Sequence, residues 1–215
     1  MIDPNARHFV FDVESIGLHG VDFAVGYVIF DKGEEVEAGW WSRGLADDRS
    51  LGTMEDIAWC YDNIPDEVRH PSDPAFHRIR FWDIYMRERG VPIFRNVARP
   101  GVIEDGPHAT SKTYFWADCA WPVEARFFAA MIDDARRWPT DQPDEGDGVL
   151  RPSPRNWQGP YPLHEIATLR ALVGSLLPDP VYLPDELPIH HPMMDARRSA
   201  RQLMAYLQRL QALGI

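Results

Sequence analysis

Three β-type segments follow one another at the start of the chain, with no helical pattern between them. Residues 8–13, 23–30 and 35–42 are rich in aromatic and β-branched side chains, a composition that favours strands. The turn Asp31-Lys32-Gly33 separates the second segment from the third, and a short turn of this kind joins antiparallel neighbours. The pattern therefore predicts an antiparallel meander, so the fold must begin with a sheet.

Helical and strand patterns alternate along the rest of the chain. Apolar residues at helical spacing predict helices over residues 53–63, 76–90, 121–137, 166–176 and 193–213, and an apolar, aromatic run predicts a strand over 112–119. Asp73-Pro74 is a start signal for the second of these helices. Proline and glycine predict loops over 91–111 and, as an extended loop, over 139–162. Strands followed by alternating strand and helix indicate an α/β fold, with a mixed sheet between helices in one domain over residues 1–215.

The composition restricts the compartment and the class of ligand. A chain of 215 residues can bury a core of its own, so one domain is the simplest count. Neither a signal peptide nor an apolar stretch of spanning length is visible, which predicts a cytoplasmic protein with no membrane partner. The net charge of −11 argues against non-specific binding of long duplex DNA, because that affinity comes largely from neutralised phosphates. The negative net charge does not exclude a pocket that binds one or two nucleotides through metal ions, because the ions bring positive charge.

Acidic residues near both ends carry the candidate chemistry. Asp12 and Glu14 are two residues apart in the first predicted strand, and side chains at that spacing point to the same face. His190 lies five residues ahead of Asp195, which opens the last predicted helix. Carboxylate oxygens from the two ends could together hold paired divalent cations, the arrangement used for phosphoryl transfer. The sequence therefore points to a nuclease.

Three acid-containing segments follow one another along the chain: residues 11–15 (FDVES), 116–128 (WADCAWPVEARFF) and 190–196 (HHPMMDA). Together they resemble the DEDDh-type 3′–5′ exonucleases, a group that includes ribonuclease T, oligoribonuclease and the proofreading exonucleases of DNA polymerases. The resemblance implies a ribonuclease-H-like fold with a central five-stranded mixed sheet flanked by helices. It also implies two magnesium or manganese ions and a single-stranded 3′ end as substrate. Small enzymes of this type are often homodimers, so a homodimer is an implied option.

Carried over residue by residue, the resemblance makes Asp12 and Glu14 catalytic metal ligands and Asp195 the last acid of the third motif. His190 matches the histidine of that motif and would be the general base, a role that suits an imidazole at neutral pH. His191 competes for this role, because it lies where the tyrosine-bearing branch of the family places its catalytic side chain. We prefer His190, since the histidine branch uses the five-residue spacing, and we keep His191 as a substrate-binding candidate.

The middle motif departs from the family pattern, in which an asparagine ends a strand and an aromatic-aspartate pair begins a helix. Asp118 stands where the asparagine would fall, whereas Glu124 lies in the first predicted helical turn ahead of Phe127 and Phe128. The residue type favours Asp118, because the family's acid is an aspartate. The position in the predicted helix favours Glu124, because the family's acid lies in the first helical turn. We favour Glu124 as the catalytic, metal-side acid, with Asp118 close by as a further candidate ligand. An acid in a first turn can also be present only for the helix dipole.

Substrate contacts are predicted from position and composition. Ser15 and Ile16, directly after the acids, lie where related enzymes hold the terminal nucleotide. Trp121 and Trp116 flank the middle motif and could stack a terminal base, although most tryptophans in a chain with eight of them are core. Segment 151–157 could close over a single strand. Four arginines could reach phosphates: Arg126, Arg197, Arg198 and Arg201.

The leading hypothesis is a metal-dependent 3′–5′ exonuclease that uses a two-metal mechanism on single-stranded ends. It would release nucleoside 5′-monophosphates, with RNA or short oligonucleotides slightly favoured over DNA. A catalytically weak nucleic-acid-binding module on the same fold and a phosphoesterase for small nucleotides are the alternatives. The choice between RNA and DNA depends on contacts to the 2′-hydroxyl that no motif here encodes.

Overall fold

The computed structural model of the protein describes residues 2–45, 52–90, 113–137, 159–160, 162–173 and 183–214. The strands are β1 (Arg7–Ser15), β2 (Asp22–Asp31), β3 (Glu34–Ser42), β4 (Thr113–Ala117) and β5 (His164–Glu165). The helices are α1 (Met54–Asn63), α2 (Asp66–Arg69), α3 (His77–Glu88), α4 (Ala125–Arg137), α5 (Ile166–Val173) and α6 (Pro192–Leu213). A π-helical turn, Ala120–Glu124, precedes α4, and a 3-10 turn, Pro184–Glu186, precedes α6. None of the helices in these ranges combines the length and the apolar character that a membrane span needs.

The five strands form one mixed sheet in the order β3-β2-β1-β4-β5. The pairs β1/β2 and β2/β3 are antiparallel, which confirms the predicted meander. The pairs β1/β4 and β4/β5 are parallel, so the chain crosses over after the meander. β1 is therefore the central strand, with a neighbour on each side, and the predicted five-stranded mixed sheet flanked by helices is confirmed.

Side chains of β1 alternate between two cores on opposite faces of the sheet. Phe9, Phe11 and Val13 pack into an aromatic core with residues of α3 and α4. Val10 faces the other way, into an aliphatic core with α5 and α6. Since residues two apart on a strand share a face, Asp12 and Glu14 point to the side that α6 covers.

Two helix starts compare differently with their sequence signals. The start signal for α3 at residues 73–74 is wrong, because the backbone N–H of Ala75 donates to the carbonyl of Ser42 at the end of β3. The helix begins at His77, one residue after the start of the predicted range 76–90. The predicted helix start at residues 121–122 agrees with the backbone, because Trp121 is extended, with φ −121° and ψ 138°, and the non-helical angles of the turn are confined to it. A tertiary hydrogen bond therefore outweighs the local signal only at the first of these places.

Strand β5 was not predicted from the sequence. It has two residues, which is too short for an alternating pattern to be recognised. The predicted helix over 166–176 is confirmed as far as Val173. The predicted loop at 91–111 and the segment 151–157 lie outside the described residues, as does nearly all of 139–162.

A buried ionic network joins β2 to α3 and α4. The carboxylate of Asp22 contacts His77 Nε2 at 2.6 Å and accepts two hydrogen bonds from Arg78, at 2.6 and 2.8 Å. Arg78 also donates to Asp134 on α4, at 2.9 Å. Burial opposes ionisation of Asp22, but the hydrogen bonds from His77 and Arg78 outweigh it and lower its pKa to about 2. The network is structural, because it fixes α3 and α4 against the sheet on the face opposite α6.

Candidate active site

The carboxylates of the first motif meet the start of the last helix. Asp195 lies in the first turn of α6 and is buried, as is Glu14 on β1. One donor atom each from Glu14, His190 and Asp195 lie within 4.8 Å of one another. Side chains from opposite ends of the sequence thus form one cluster, and their donor atoms are close enough to share a cation.

Asp12 lies in a strongly negative environment. Its pKa is raised well above the ordinary value, chiefly by burial and then by the charges of Glu14, Asp195, Glu124 and Asp118. Burial also raises the pKa of Glu14 well above its ordinary value, with Asp195 and Glu124 adding to the effect. Since like charges at short range in a low-dielectric site repel strongly, the cluster is costly to ionise unless a cation compensates it. The structure therefore brings all five acids predicted from the sequence into electrostatic reach of one another.

The middle motif places two acids at the site in different states of pairing. Asp118 follows β4 and accepts a hydrogen bond from Arg170 on α5, at 3.2 Å, so its charge has a cationic neighbour. Glu124 is buried, and burial raises its pKa to about 7, with Asp118 and Glu165 contributing. Glu124 ends the π-helical turn that leads into α4, three residues after the extended Trp121, so it lies in the first helical turn as predicted. Among the described residues Glu124 has no ion-pair partner comparable to Arg170, which supports the preference for Glu124 over Asp118 as the metal-side acid.

The two neighbouring histidines have different surroundings. His190 adopts a left-handed backbone conformation, with φ 58°, which is uncommon outside glycine and turns its side chain toward Glu14 and Asp195. His191 is buried, and its ring meets the edge of Trp40 at a centroid distance of 4.7 Å. Among the described residues, His191 Nδ1 has no hydrogen-bond partner. Its buried ring supports a packing role rather than the predicted substrate contact, and His190 is the histidine beside the acids.

An exposed tryptophan beside His190 was missed by the sequence patterns. Trp59 on α1 meets the His190 ring edge to face, with centroids 5.0 Å apart, and 46% of its surface is exposed. The sequence contained one signal for it. Trp59 lies off the apolar stripe of α1, which includes the buried residue Ile57, and a tryptophan in that position is expected to be exposed. An aromatic surface that is both exposed and next to a metal-type cluster is suited to stack a nucleobase.

The predicted substrate-side residues have mixed placements. Trp121 is 67% exposed in the turn before α4, which keeps it available as a stacking surface. Trp116 is fully buried in the core, so the stacking role considered for it is wrong. Ile16 is buried as well, and its backbone N–H donates to the carbonyl of Val21 at 3.1 Å, which leaves its carbonyl rather than its side chain for a nucleotide contact. Ser15 donates its hydroxyl to the carbonyl of Gly17, at 2.7 Å, and so fixes the backbone just after Glu14.

The four arginines considered for phosphate binding differ in their partners. Arg197 pairs with Glu35, and Arg201 forms a two-point pair with Glu186. Arg198 Nε lies 3.8 Å from Asp195, and Arg126 is exposed on α4. The carboxylate pairs give Arg197 and Arg201 a surface role, as is common for arginines on amphipathic helices.

The donor set fits hard divalent cations. Carboxylate oxygens are the ligands that Mg²⁺ and Mn²⁺ favour. Asp12, Glu14, Asp195 and Glu124 are the residues that would hold such ions, and the raised pKa values of Asp12 and Glu14 mark the charge that the ions would balance.

Comparisons with known proteins find similarity to solved structures. No protein-family model matches the sequence, and no curated protein is similar to it at a significant level. Among solved structures, the chain is similar to the nuclease domain of 3'hExo, a DEDDh family member, bound to rAMP. The TM-score is 0.49 at 12% sequence identity, and the similarity covers 95% of this chain and 93% of that one. A similarity of this size carries no inference about function, which must come from the site.

Proposed function

We propose that the protein is a divalent-metal-dependent 3′–5′ exonuclease that acts on single-stranded nucleic acid. The observation that carries the proposal is the cluster of Glu14, His190 and Asp195, whose donor atoms lie within 4.8 Å of one another. Asp12 and Glu124 add two further carboxylates at electrostatic range. Acids and one imidazole in this arrangement suit phosphodiester hydrolysis with two bound cations.

The residues of the site have distinct parts in the proposed reaction. Asp12, Glu14, Asp195 and Glu124 would hold two divalent cations, Mg²⁺ or Mn²⁺. When bound, the ions would neutralise the phosphate and make the attacking water more acidic. His190 accepts a proton of that water as the water oxygen bonds to phosphorus. The bond from phosphorus to the 3′ oxygen of the preceding nucleotide breaks, and this oxygen takes up a proton from solvent. A nucleoside 5′-monophosphate leaves, and the shortened chain keeps a free 3′ hydroxyl.

The surroundings of the cluster favour a single strand as substrate. Trp59 lies against His190 with about half of its surface exposed, and Trp121 is exposed near Glu124 in sequence. Stacking on such surfaces requires an unpaired base. The net charge of −11 gives the exterior little attraction for duplex phosphates. RNA or short oligonucleotides are the preferred test substrates.

The test is a metal titration on labelled oligonucleotides. The purified protein, stripped with a chelator, is given Mg²⁺ or Mn²⁺ with single-stranded RNA and DNA labelled at the 5′ end. Stepwise shortening of the labelled strand is expected only with metal, and Asp12→Asn is expected to abolish it. Asp62→Asn is the matched control, because Asp62 is an exposed acid on α1. Full activity of Asp12→Asn, with Asp62→Asn equally active, would refute the proposal.

The same assay separates the alternatives. Binding of the oligonucleotide without shortening, with and without metal, would indicate a nucleic-acid-binding module instead. Metal-dependent hydrolysis of a mononucleotide ester but not of a chain would indicate a phosphoesterase for small nucleotides.

A further inference from the structure

Gly26 lies between the acids of β1 and the first turn of α6, which together form the candidate site. It pairs with Asp12 across the antiparallel ladder of β1 and β2, so the two residues share a face of the sheet. On that face the start of α6 comes unusually close. A Cβ atom on Gly26 would lie 2.2 Å from the carbonyl carbon of Pro192 and 2.2 Å from the backbone nitrogen of Met193.

Space, rather than backbone conformation, explains this glycine. Gly26 is not among the glycines with positive φ, and glycine weakens the interior of a strand. The atoms that a side chain would meet belong to the backbone of the first helical turn, so no change of rotamer could make room. Even one methyl group would push the start of α6 away from β2.

We propose that Gly26 is a positioning residue that sets the distance between the acids of β1 and the first turn of α6. The inference rests on the proposed function. His190 and Asp195 lie at the start of α6, and they reach Glu14 because the helix backbone lies directly on the sheet at Gly26. Any side chain here moves His190 and Asp195 outward together and opens the metal site, while leaving every metal ligand in the sequence.

Gly39 offers a matched control on the next strand. A Cβ on Gly39 would also be crowded, at 2.9 Å from the ring of Tyr27, but Tyr27 packs into the aromatic core on the opposite face of the sheet. Gly39→Ala therefore tests the general cost of adding a methyl group to a crowded strand. Pro192→Ala is a second variant, which removes side-chain atoms at the contact and retains the backbone that rests on Gly26.

The experiment measures Mn²⁺ affinity by calorimetry on folded, metal-stripped protein, with the folded fraction taken from urea unfolding. Gly26→Ala is expected to bind Mn²⁺ at least about tenfold more weakly and to lose about a hundredfold in kcat, the size of effect that a displacement of about 1 Å can produce. Gly39→Ala and Pro192→Ala are expected to retain the wild-type affinity per folded molecule, whatever they do to stability. A merely structural role for Gly26 would lower stability without changing that affinity.

The outcomes separate this inference from the proposed function. Equal Mn²⁺ affinity in Gly26→Ala and Gly39→Ala would overturn the positioning role. So would a loss in Pro192→Ala as large as that expected for Gly26→Ala, because the Pro192 side chain would then set the geometry. If Gly26→Ala fails to fold, Pro192→Ala carries the test. Retained Mn²⁺ affinity in Pro192→Ala would support the positioning role, and a large loss of affinity would overturn it. Absence of Mn²⁺ binding by the wild type would refute the proposed function, and this inference with it.

Discussion

Replacing Glu124 with glutamine should stabilise the metal-free protein while removing its activity. Burial raises the pKa of Glu124 from 4.5 to about 7, its own backbone N–H partly offsets this, and Asp118 and Glu165 add to it. An acid whose pKa is raised on folding begins to destabilise the folded state once the pH exceeds its ordinary pKa, and the destabilisation is complete above the raised pKa. It is lost as the pH falls below the ordinary value. The cost corresponds to about 3 kcal/mol at pH 8 and to about 1.5 kcal/mol at pH 5.5. Glutamine has no charge and removes the cost.

The assay is urea unfolding followed by tryptophan fluorescence, in chelator, at pH 8 and pH 5.5. Glu124→Gln should be more stable than the wild type at both values, with the larger gain at pH 8. Added Mg²⁺ should then stabilise the wild type more than the variant, because the ions balance the charge that the variant lacks. Activity should fall by more than about a hundredfold, the upper end for residues that only support a metal ligand.

Glu165→Gln is the matched control. Glu165 is close enough to add to the raised pKa of Glu124, but hydrogen bonds from Thr168 and the Ala120 N–H lower its own pKa. The same substitution there should not stabilise the protein. If Glu124→Gln is no more stable than the wild type at pH 8 in chelator, the account of Glu124 as an uncompensated buried charge is wrong.

Three further outcomes are expected. His190→Ala should lose at least about a hundredfold in kcat, as for removal of a general base, whereas His191→Ala should lower the urea midpoint and leave the activity per folded molecule nearly unchanged. Trp59→Ala should raise KM for oligonucleotides by roughly tenfold, the worth of one stacked base, with a smaller effect on kcat, and equal KM values would exclude the stacking role. Asp22→Asn should cost about 2 kcal/mol at pH 7. Because the pKa of Asp22 is lowered to about 2, this contribution is present above its ordinary pKa and is lost as the pH falls toward 2, which acid unfolding of wild type and variant would show.

The sequence by itself determined the elements whose signals are local. Alternation of apolar side chains located the meander, and helical spacing located α1 and α6 within a residue or two. The two-residue spacing put Asp12 and Glu14 on one face, since the pleat of a strand requires it. Local signals failed where a distant partner set the backbone, as at Ala75, which bonds to the end of β3.

Only the tertiary structure decided which side chains lie together around Glu14 and Asp195 and how their surroundings change their ionisation. The five-residue spacing favoured His190 over His191 through the resemblance, and in the structure the left-handed backbone at His190 places that ring beside the acids. Residue type favoured Asp118 and helix phase favoured Glu124. Arg170, on a separate helix, gives Asp118 a cationic neighbour, and in the described part of the chain Glu124 has none. Distances between segments far apart in sequence depend on how whole helices pack on the sheet, and no local pattern encodes that packing. Gly26 is an example. A side chain is excluded there by the backbone of α6 packed on β2, and the sequence of β2 contains no sign of that contact.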